Sequence, residues 1–309
     1  MKTAKGNTTN STLVPIDFSE NSMYALDCAA GIASALNENN KITLLHIIEG
    51  ASFAPIKEAG QINSNINSHD ALAIEGAINR LQKIASEHNK NNIEYNYIVA
   101  SGKAYRKIAE IASEIKADNI VMGTHGSSGI QAFAGSNASK VIQLADCPVV
   151  VIKRKPVNFK GFKNIVLPLD LTQETRQKVN FAVKIAQHYD STVHLLTMSD
   201  SDEFLATRLE NNLNQVESYL QERGIKTTSS TLHATGGNFV KQTLVWAEGR
   251  NADLIIIMSQ QDKELREFIF GAYAQQIVNK SDIPVMAVNP NPELEGIMGN
   301  TVGSGIYQH

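Results

Sequence analysis

The stretch TLVPIDFSENSMYALDCAAGIASALNENNKITLLHII, residues 12–48, contains the fold in miniature. It begins and ends with short apolar runs, TLVPI (12–16) and ITLLHII (42–48). Neither run has the alternating polar face of a half-exposed strand, so both read as strands covered by helices on two sides. Between them Met23, Leu26, Ala30 and Ala33 recur at helical spacing, behind a Ser19 of the type that caps helix N-termini. Strand, helix and strand in that order make a crossover unit, and such units build parallel sheets.

The same pattern continues outward. EYNYIVA (94–100), NIVMG (119–123) and PVVVI (148–152) read as three more strands. Ile74, Ile78, Leu81 and Ile84 predict a helix over 70–88, and Ile108, Ile111, Ala112 and Ile115 predict another. Residues 50–69 are polar and irregular and read as a mobile loop.

The second half of the chain then replays the first. TLVPID returns as IVLPLD (165–170), ITLLHII as TVHLLTM, KADNIVMG as NADLIIIM, and ADCPVVVI as SDIPVMAV. Asp17 pairs with Asp170 and Leu45 with Leu196, at offsets of 153 and 151, whereas Asp118 pairs with Asp253 at 135. The second copy is therefore shorter, mostly by the irregular loop, where deletion costs least. The boundary falls in KRKPVNFKGFK (153–163), whose five basic residues read as a solvated connector. The expected organisation is a first domain over 1–155, a second over 162–290 and a loose tail over 291–309. The fold class is α/β: two tandem open parallel five-stranded sheets with helices on both faces, Rossmann-like. The last strands, PVVVI and PVMAV, would be exposed apolar edges unless paired, so pairing across the duplication is expected, as an intrachain pseudo-dimer.

Composition narrows the functional classes. The 309 residues include 28 basic and 31 acidic side chains, with 42% hydrophobic and 19% charged residues, a soluble balance that calls for no nucleic-acid partner. The two cysteines, Cys28 and Cys147, form no C-x-x-C or metal-ligand pattern and suit core positions in a reducing compartment. The N-terminus lacks an apolar leader, and runs such as PVVVI and LIIIM are too short to span a bilayer. A cytoplasmic location without a membrane partner is the expectation.

The segment GTHGSSGIQAFAGSNASK (123–140) carries what chemistry can be read. Gly123 closes a strand, Gly126 and Gly129 let the chain turn, and Gly135, Ser136 and Asn137 precede an apolar helical stripe of Ala138, Val141, Ile142 and Ala145. Glycines let several N–H groups approach one phosphate, and a helix N-terminus adds its dipole. A flexible turn accounts for the same spacing. No Walker loop or G-x-G-x-x-G turn is present.

At the end of the first strand, Asp17 faces two readings: it accepts hydrogen bonds from an adenine or ribose, or it starts the following helix. His125 either donates to phosphate or faces solvent, and His46 reads as a satisfied core histidine. No Ser-His-Asp, Cys-His or paired-carboxylate set is legible, so no catalytic residues are assigned and enzymatic activity is left open.

Taken together, VPIDFSENS, LLHII, Gly102 after the third strand, IVMGTHGSSG, GSNASKVI and CPVVVIK resemble the universal stress proteins in their tandem two-domain form, over nearly the whole chain. ATP-binding members of that family carry G-x2-G-x9-G-[ST]. The resemblance implies roles for Gly123, Gly126, Gly135 and Ser136 at the triphosphate, and for Asp17 and the backbone of Ile47 at the adenosine. With their neighbours Pro15, His125, Gly129 and Asn137 they make up the candidate binding set. Here eight residues separate Gly126 from Gly135, one fewer than in the family pattern.

The second copy departs further, with Met258 and Gln261 in place of the paired glycines and Gly271-Ala272 in place of Gly135-Ser136. The expectation is a stress-response protein binding ATP, with or without Mg²⁺, in its first domain only, beside a structural or regulatory second domain. The resemblance also implies a homodimer. The alternative is a nucleotide-independent module for protein binding and assembly.

Overall fold

The computed structural model describes residues 10–36, 40–57, 62, 66–88, 93–124, 136–154, 161–171, 175–199, 202–233, 239–259 and 271–290. The chain divides into two units, Met1–Val157 and Asn158–His309.

In the first unit, β1 (Asn10–Pro15), α1 (Glu20–Leu36), β2 (Asn40–Ile48), α2 (Ser68–His88), β3 (Ile93–Ser101), α3 (Ala104–Glu114), β4 (Asn119–Gly123), α4 (Ser136–Leu144) and β5 (Val149–Ile152) follow in order. The strands lie in the order β3-β2-β1-β4-β5, and every adjacent pair is parallel. β2 and β3 run in register from Asn40 opposite Ile93 to Ile48 opposite Ser101. The five strands predicted from the apolar runs are all present, each within two residues of the expected ends at either side.

The periodic stripes become core. Leu26, Ala33, Ile74, Ile78, Leu81, Ile108, Ile111 and Ala112 are buried. Met23, Ala30, Ile84 and Ile115 sit half-buried at the margins. Ser19 heads α1 as expected, its Oγ accepting from the Ser22 N–H at 3.3 Å.

Residues 50–57 are irregular, as read from the sequence, but they are anchored to β3. Ile56 is buried and forms an antiparallel bridge to Val99, with backbone bonds of 2.8 and 2.9 Å. The Ser101 hydroxyl accepts from Phe53 N–H and donates to Phe53 carbonyl. An apolar residue and a β3 hydroxyl anchor this stretch, and composition hid both because the intervening residues are polar. Residues 58–61 and 63–65 lie outside the described set.

The second unit repeats the plan with β6 (Asn164–Pro168), α5 (Thr175–Tyr189), β7 (Thr192–Ser199), α6 (Glu203–Gln221), β8 (Lys226–His233), α7 (Phe239–Glu248), β9 (Leu254–Met258), α8 (Ala272–Lys280) and β10 (Val285–Val288). Its strand order, β8-β7-β6-β9-β10, is again wholly parallel. α3 and α7 begin at Ala104 and Phe239, and α4 and α8 at Ser136 and Ala272, so the two copies can be compared position by position.

One pair of repeated residues has the same structural task in both units. Asp118 Oδ2 accepts from the Ser11 N–H at 2.7 Å, while Asp253 Oδ2 accepts from the Lys163 and Asn164 N–H groups at 2.8 and 2.9 Å. Each carboxylate satisfies donors at the start of the central strand that the ladder leaves unpaired. Burial pushes the Asp253 carboxyl above its usual range, and the two backbone N–H bonds oppose that rise.

Cys28 is buried and Cys147 half-buried. Burial pushes both thiols up to about 12, so they stay protonated at neutral pH. Among the described residues no helix is long and apolar enough to cross a membrane.

Candidate functional site

In the first unit β1 lies between β2 and β4, so the strand order reverses at its end, the place where open parallel sheets bind ligands. A cleft of about 140 Å³ opens there, lined by Pro15, Ile16, Asp17, Ser22, Leu45, His46, Ile47, Ala104, Ile108, Met122, Gly123, Thr124 and Asn137. One water needs roughly 10–15 Å³ of such space, so the cleft exceeds a single-water packing defect severalfold.

Five of the candidate binding residues meet in it: Pro15, Asp17, Ile47, Gly123 and Asn137. Ser136 is the first residue of α4, one position before Asn137. His125, Gly126, Gly129 and Gly135 lie outside the described residues, as does Gln261 of the second copy. Ser22, Ala104 and Thr124 also line the cleft and were not singled out in the sequence, and Ile108, read there as helix core, lines it too; small and apolar residues carry no signal of their own for a site.

Asp17 serves the helix-starting role directly. Its Oδ1 accepts from Ser19 N–H at 3.0 Å and from Ser19 Oγ at 2.5 Å. The side chain is half-buried and also lines the cleft, so the two readings of Asp17 are compatible. Ser22 adds a hydroxyl that donates to the Ser19 carbonyl at 2.9 Å.

Gly123 is needed for packing. A Cβ at this position would lie 3.0 Å from the backbone C and O of Asn21, in the first turn of α1. The next amide, Thr124 N–H, is donated to the Ile152 carbonyl at 3.0 Å, so it serves the ladder with β5.

The α3 N-terminus meets an internal anion, since Glu49 Oε1 accepts from Ala104 N–H at 3.2 Å.

His46 is neither fully buried nor idle. Its Nδ1–H donates to the Ile16 carbonyl at 2.7 Å, an acceptor-only partner that fixes this tautomer. Burial pushes its pKa below the usual imidazole value; the Ile16 bond and Asp17 oppose the shift and Arg80 reinforces it. The ring lies 4.6 Å from that of Phe18, and the Arg80 guanidinium covers the Phe18 ring at 3.6 Å.

The corresponding positions of the second unit carry different side chains. Ala104 is replaced by Phe239, Ile108 by Thr243 and Asn137 by Tyr273. Phe239 and Tyr273 stack with ring centroids 5.1 Å apart, and Tyr273 OH donates to Thr243 Oγ1 at 3.3 Å. Met258, in place of Gly123, is buried.

A lysine is buried in the second unit as well. Lys178 stands where the first unit has the buried Ala25, and its Nζ donates to the Pro168 carbonyl. Burial pushes that ammonium below its usual pKa, against the pull of Asp170. Asp170 remains at the strand end, its carbonyl accepting from Asn212 Nδ2 at 2.6 Å. The sequence pointed to lost glycines in the second copy; the structure adds two stacked rings where the first unit has Ala104 and Asn137.

Comparison with known proteins follows the duplication. The model of the Universal stress protein family matches residues 9–153 and again 161–289. Universal stress protein A homolog 1 of Coxiella burnetii is 29% identical over 152 residues, which cover 46% of this chain and 95% of that protein. A universal stress protein of Methanocaldococcus jannaschii is 28% identical over 145 residues, covering 46% of this chain and 81% of its own length. Among solved structures, a universal stress protein from Archaeoglobus fulgidus superposes with a TM-score of 0.71 at 20% identity, over 92% of this chain and 97% of that one. That last likeness speaks for the fold of both halves.

Proposed function

The chain belongs to the universal stress protein family, and from that premise we propose that its first domain binds ATP or another adenine nucleotide, while the second is structural or regulatory. The observation that carries this reading is the contrast between the two strand-end clefts. In the first unit Ala104 and Asn137 line the open cleft beside Asp17, whereas at the corresponding positions of the second Phe239 and Tyr273 stack on each other.

The chemistry of the lining fits such a ligand. Leu45, Ile47, Ile108 and Met122 offer apolar surface to a purine, Asp17 offers an acceptor to ribose hydroxyls or an amine, and the start of α4 offers N–H groups to phosphate. When bound, Mg²⁺ would accompany the phosphates and neutralise part of their charge. We place the protein in the cytoplasm, as a homodimer of two-domain chains.

Calorimetric titration of the whole chain with ATP, ADP and AMP, with and without Mg²⁺, tests the proposal. One site per chain is expected. Gly135→Val should abolish binding with the fold retained, because a branched side chain obstructs phosphate approach, while Gly271→Val should leave it intact. Two equal sites, no binding, or equal losses from the two substitutions would overturn the reading. If instead the oligomeric state and a stable protein partner proved indifferent to nucleotide, the assembly-module reading would take its place.

A further inference from the structure

Asp17 sits between two residues that are each held from outside the strand end. On one side, Ile16 donates its N–H to the Leu45 carbonyl at 2.8 Å and accepts at its own carbonyl from His46 Nδ1–H at 2.7 Å. On the other, Phe18 has a left-handed backbone with φ of 64°, a region that bulky residues rarely adopt. Its ring is sandwiched between His46, 4.6 Å away, and the exposed Arg80 of α2, whose guanidinium lies 3.6 Å from the ring centroid.

Such a conformation persists when surrounding contacts over-determine it, and the sandwich supplies those contacts. The reversal at Phe18 turns the chain so that Ser19 reaches back to Asp17 Oδ1 with both its N–H and its hydroxyl. In the second unit Leu171 occupies the position of Phe18 and Thr197 that of His46, so the aromatic pair has no counterpart. Leu171 is not among the described residues with positive φ. The strained turn accompanies the open cleft.

We infer that Phe18 is a positioning residue: its ring, clamped between Arg80 and His46, holds the left-handed turn that presents the Asp17 carboxylate to a ligand in the first-domain cleft. This rests on the adenine-nucleotide reading for the ligand, but the turn geometry can be read without one. Phe18 acts through Asp17, so removing it should have little further effect once the carboxylate is gone.

The experiment is a thermodynamic cycle of ATP affinity on the full chain, using Phe18→Ala, Asp17→Ala and the double variant, with Phe18→Tyr as the ring-preserving control. Phe18→Ala should weaken binding by about tenfold or more, Phe18→Tyr should bind within about twofold of wild type, and the double variant should match Asp17→Ala. Losses that multiply in the double variant, or unchanged affinity in Phe18→Ala, would overturn the inference. Should Phe18→Ala fail to fold, Arg80→Leu removes one layer of the clamp from an exposed helix face and should weaken binding in the same direction; unchanged affinity there counts against the clamp.

Hydrogen exchange at the Ser19 amide reads the turn directly. It should accelerate about tenfold in Phe18→Ala, and an unchanged rate would overturn the positioning role. Wild-type protein that binds no adenine nucleotide would sink the nucleotide reading by itself, while the Ser19 amide would still decide the role of Phe18.

Discussion

Asp17 Oδ1 accepts both hydrogen bonds that Ser19 sends back to it, 2.5 Å from the hydroxyl and 3.0 Å from the backbone N–H. The same carboxylate faces the cleft, so one side chain couples the start of α1 to the proposed ligand. Its two roles separate by substitution. Asp17→Ala should destabilise the first domain by about 1–3 kcal/mol, as a charged acceptor is lost from a helix start. Asp17→Asn keeps an acceptor for Ser19, so thermal unfolding should move little while calorimetry shows weakened nucleotide binding. Equal stability losses in the two variants would mean that the charge, and not the acceptor geometry, starts the helix.

Gly123→Ala tests close packing at the end of β4. The added Cβ would press on the backbone of Asn21, which cannot rotate away as a side chain could. Overpacking of this kind costs about 1–3 kcal/mol, so a lowered unfolding midpoint is expected with or without nucleotide present. An unchanged midpoint would show that α1 can shift to make room.

The second unit's ring pair can be rebuilt in the first. Ala104→Phe combined with Asn137→Tyr recreates the stack seen between Phe239 and Tyr273, whose centroids lie 5.1 Å apart. The double variant should fold and lose nucleotide binding. Conversely, Phe239→Ala should cost about 2 kcal/mol, less than the roughly 3–5 of a fully buried ring, because Phe239 is only half-buried. Its effect on nucleotide affinity should be nil. Retained binding in the rebuilt first cleft would place the ligand elsewhere.

His46 gives the first domain an acid limit. Its folded pKa lies below the ordinary 6.5, chiefly through burial, so the unfolded chain takes up the proton more readily. The stability it contributes is fully present above about 6.5 and is lost as pH falls through the lower folded value. Denaturant unfolding across pH 7 to 4 should therefore show a falling stability that His46→Gln reduces in slope. An identical slope in the variant would assign the acid response to other groups.

The duplication, the five strands of the first copy with helices between them, and four strands of the second were legible in sequence, because apolar runs without a polar face and stripes at helical spacing have few other uses; β8, KTTSSTLH, is polar and was not. TLVPID and IVLPLD also marked both strand ends, with Asp17 and Asp170 in place. Asp118 and Asp253 served only as alignment anchors in the sequence; tertiary structure gave them their task, holding backbone donors of strands 107 and 89 residues away.

Tertiary structure alone showed that Phe239 and Tyr273 meet as a stacked pair. Ala104 lies on α3 and Asn137 on α4, as Phe239 lies on α7 and Tyr273 on α8, and nothing in composition joins either pair. Whether each pair meets depends on how two helices converge at the end of one strand. The turn at Phe18 was equally hidden, because a left-handed dihedral in an aromatic residue runs against local preference and exists only where His46 and Arg80 close on its ring. Periodicity reports which face of an element is buried; the volume left between buried faces is a property of the packed domain.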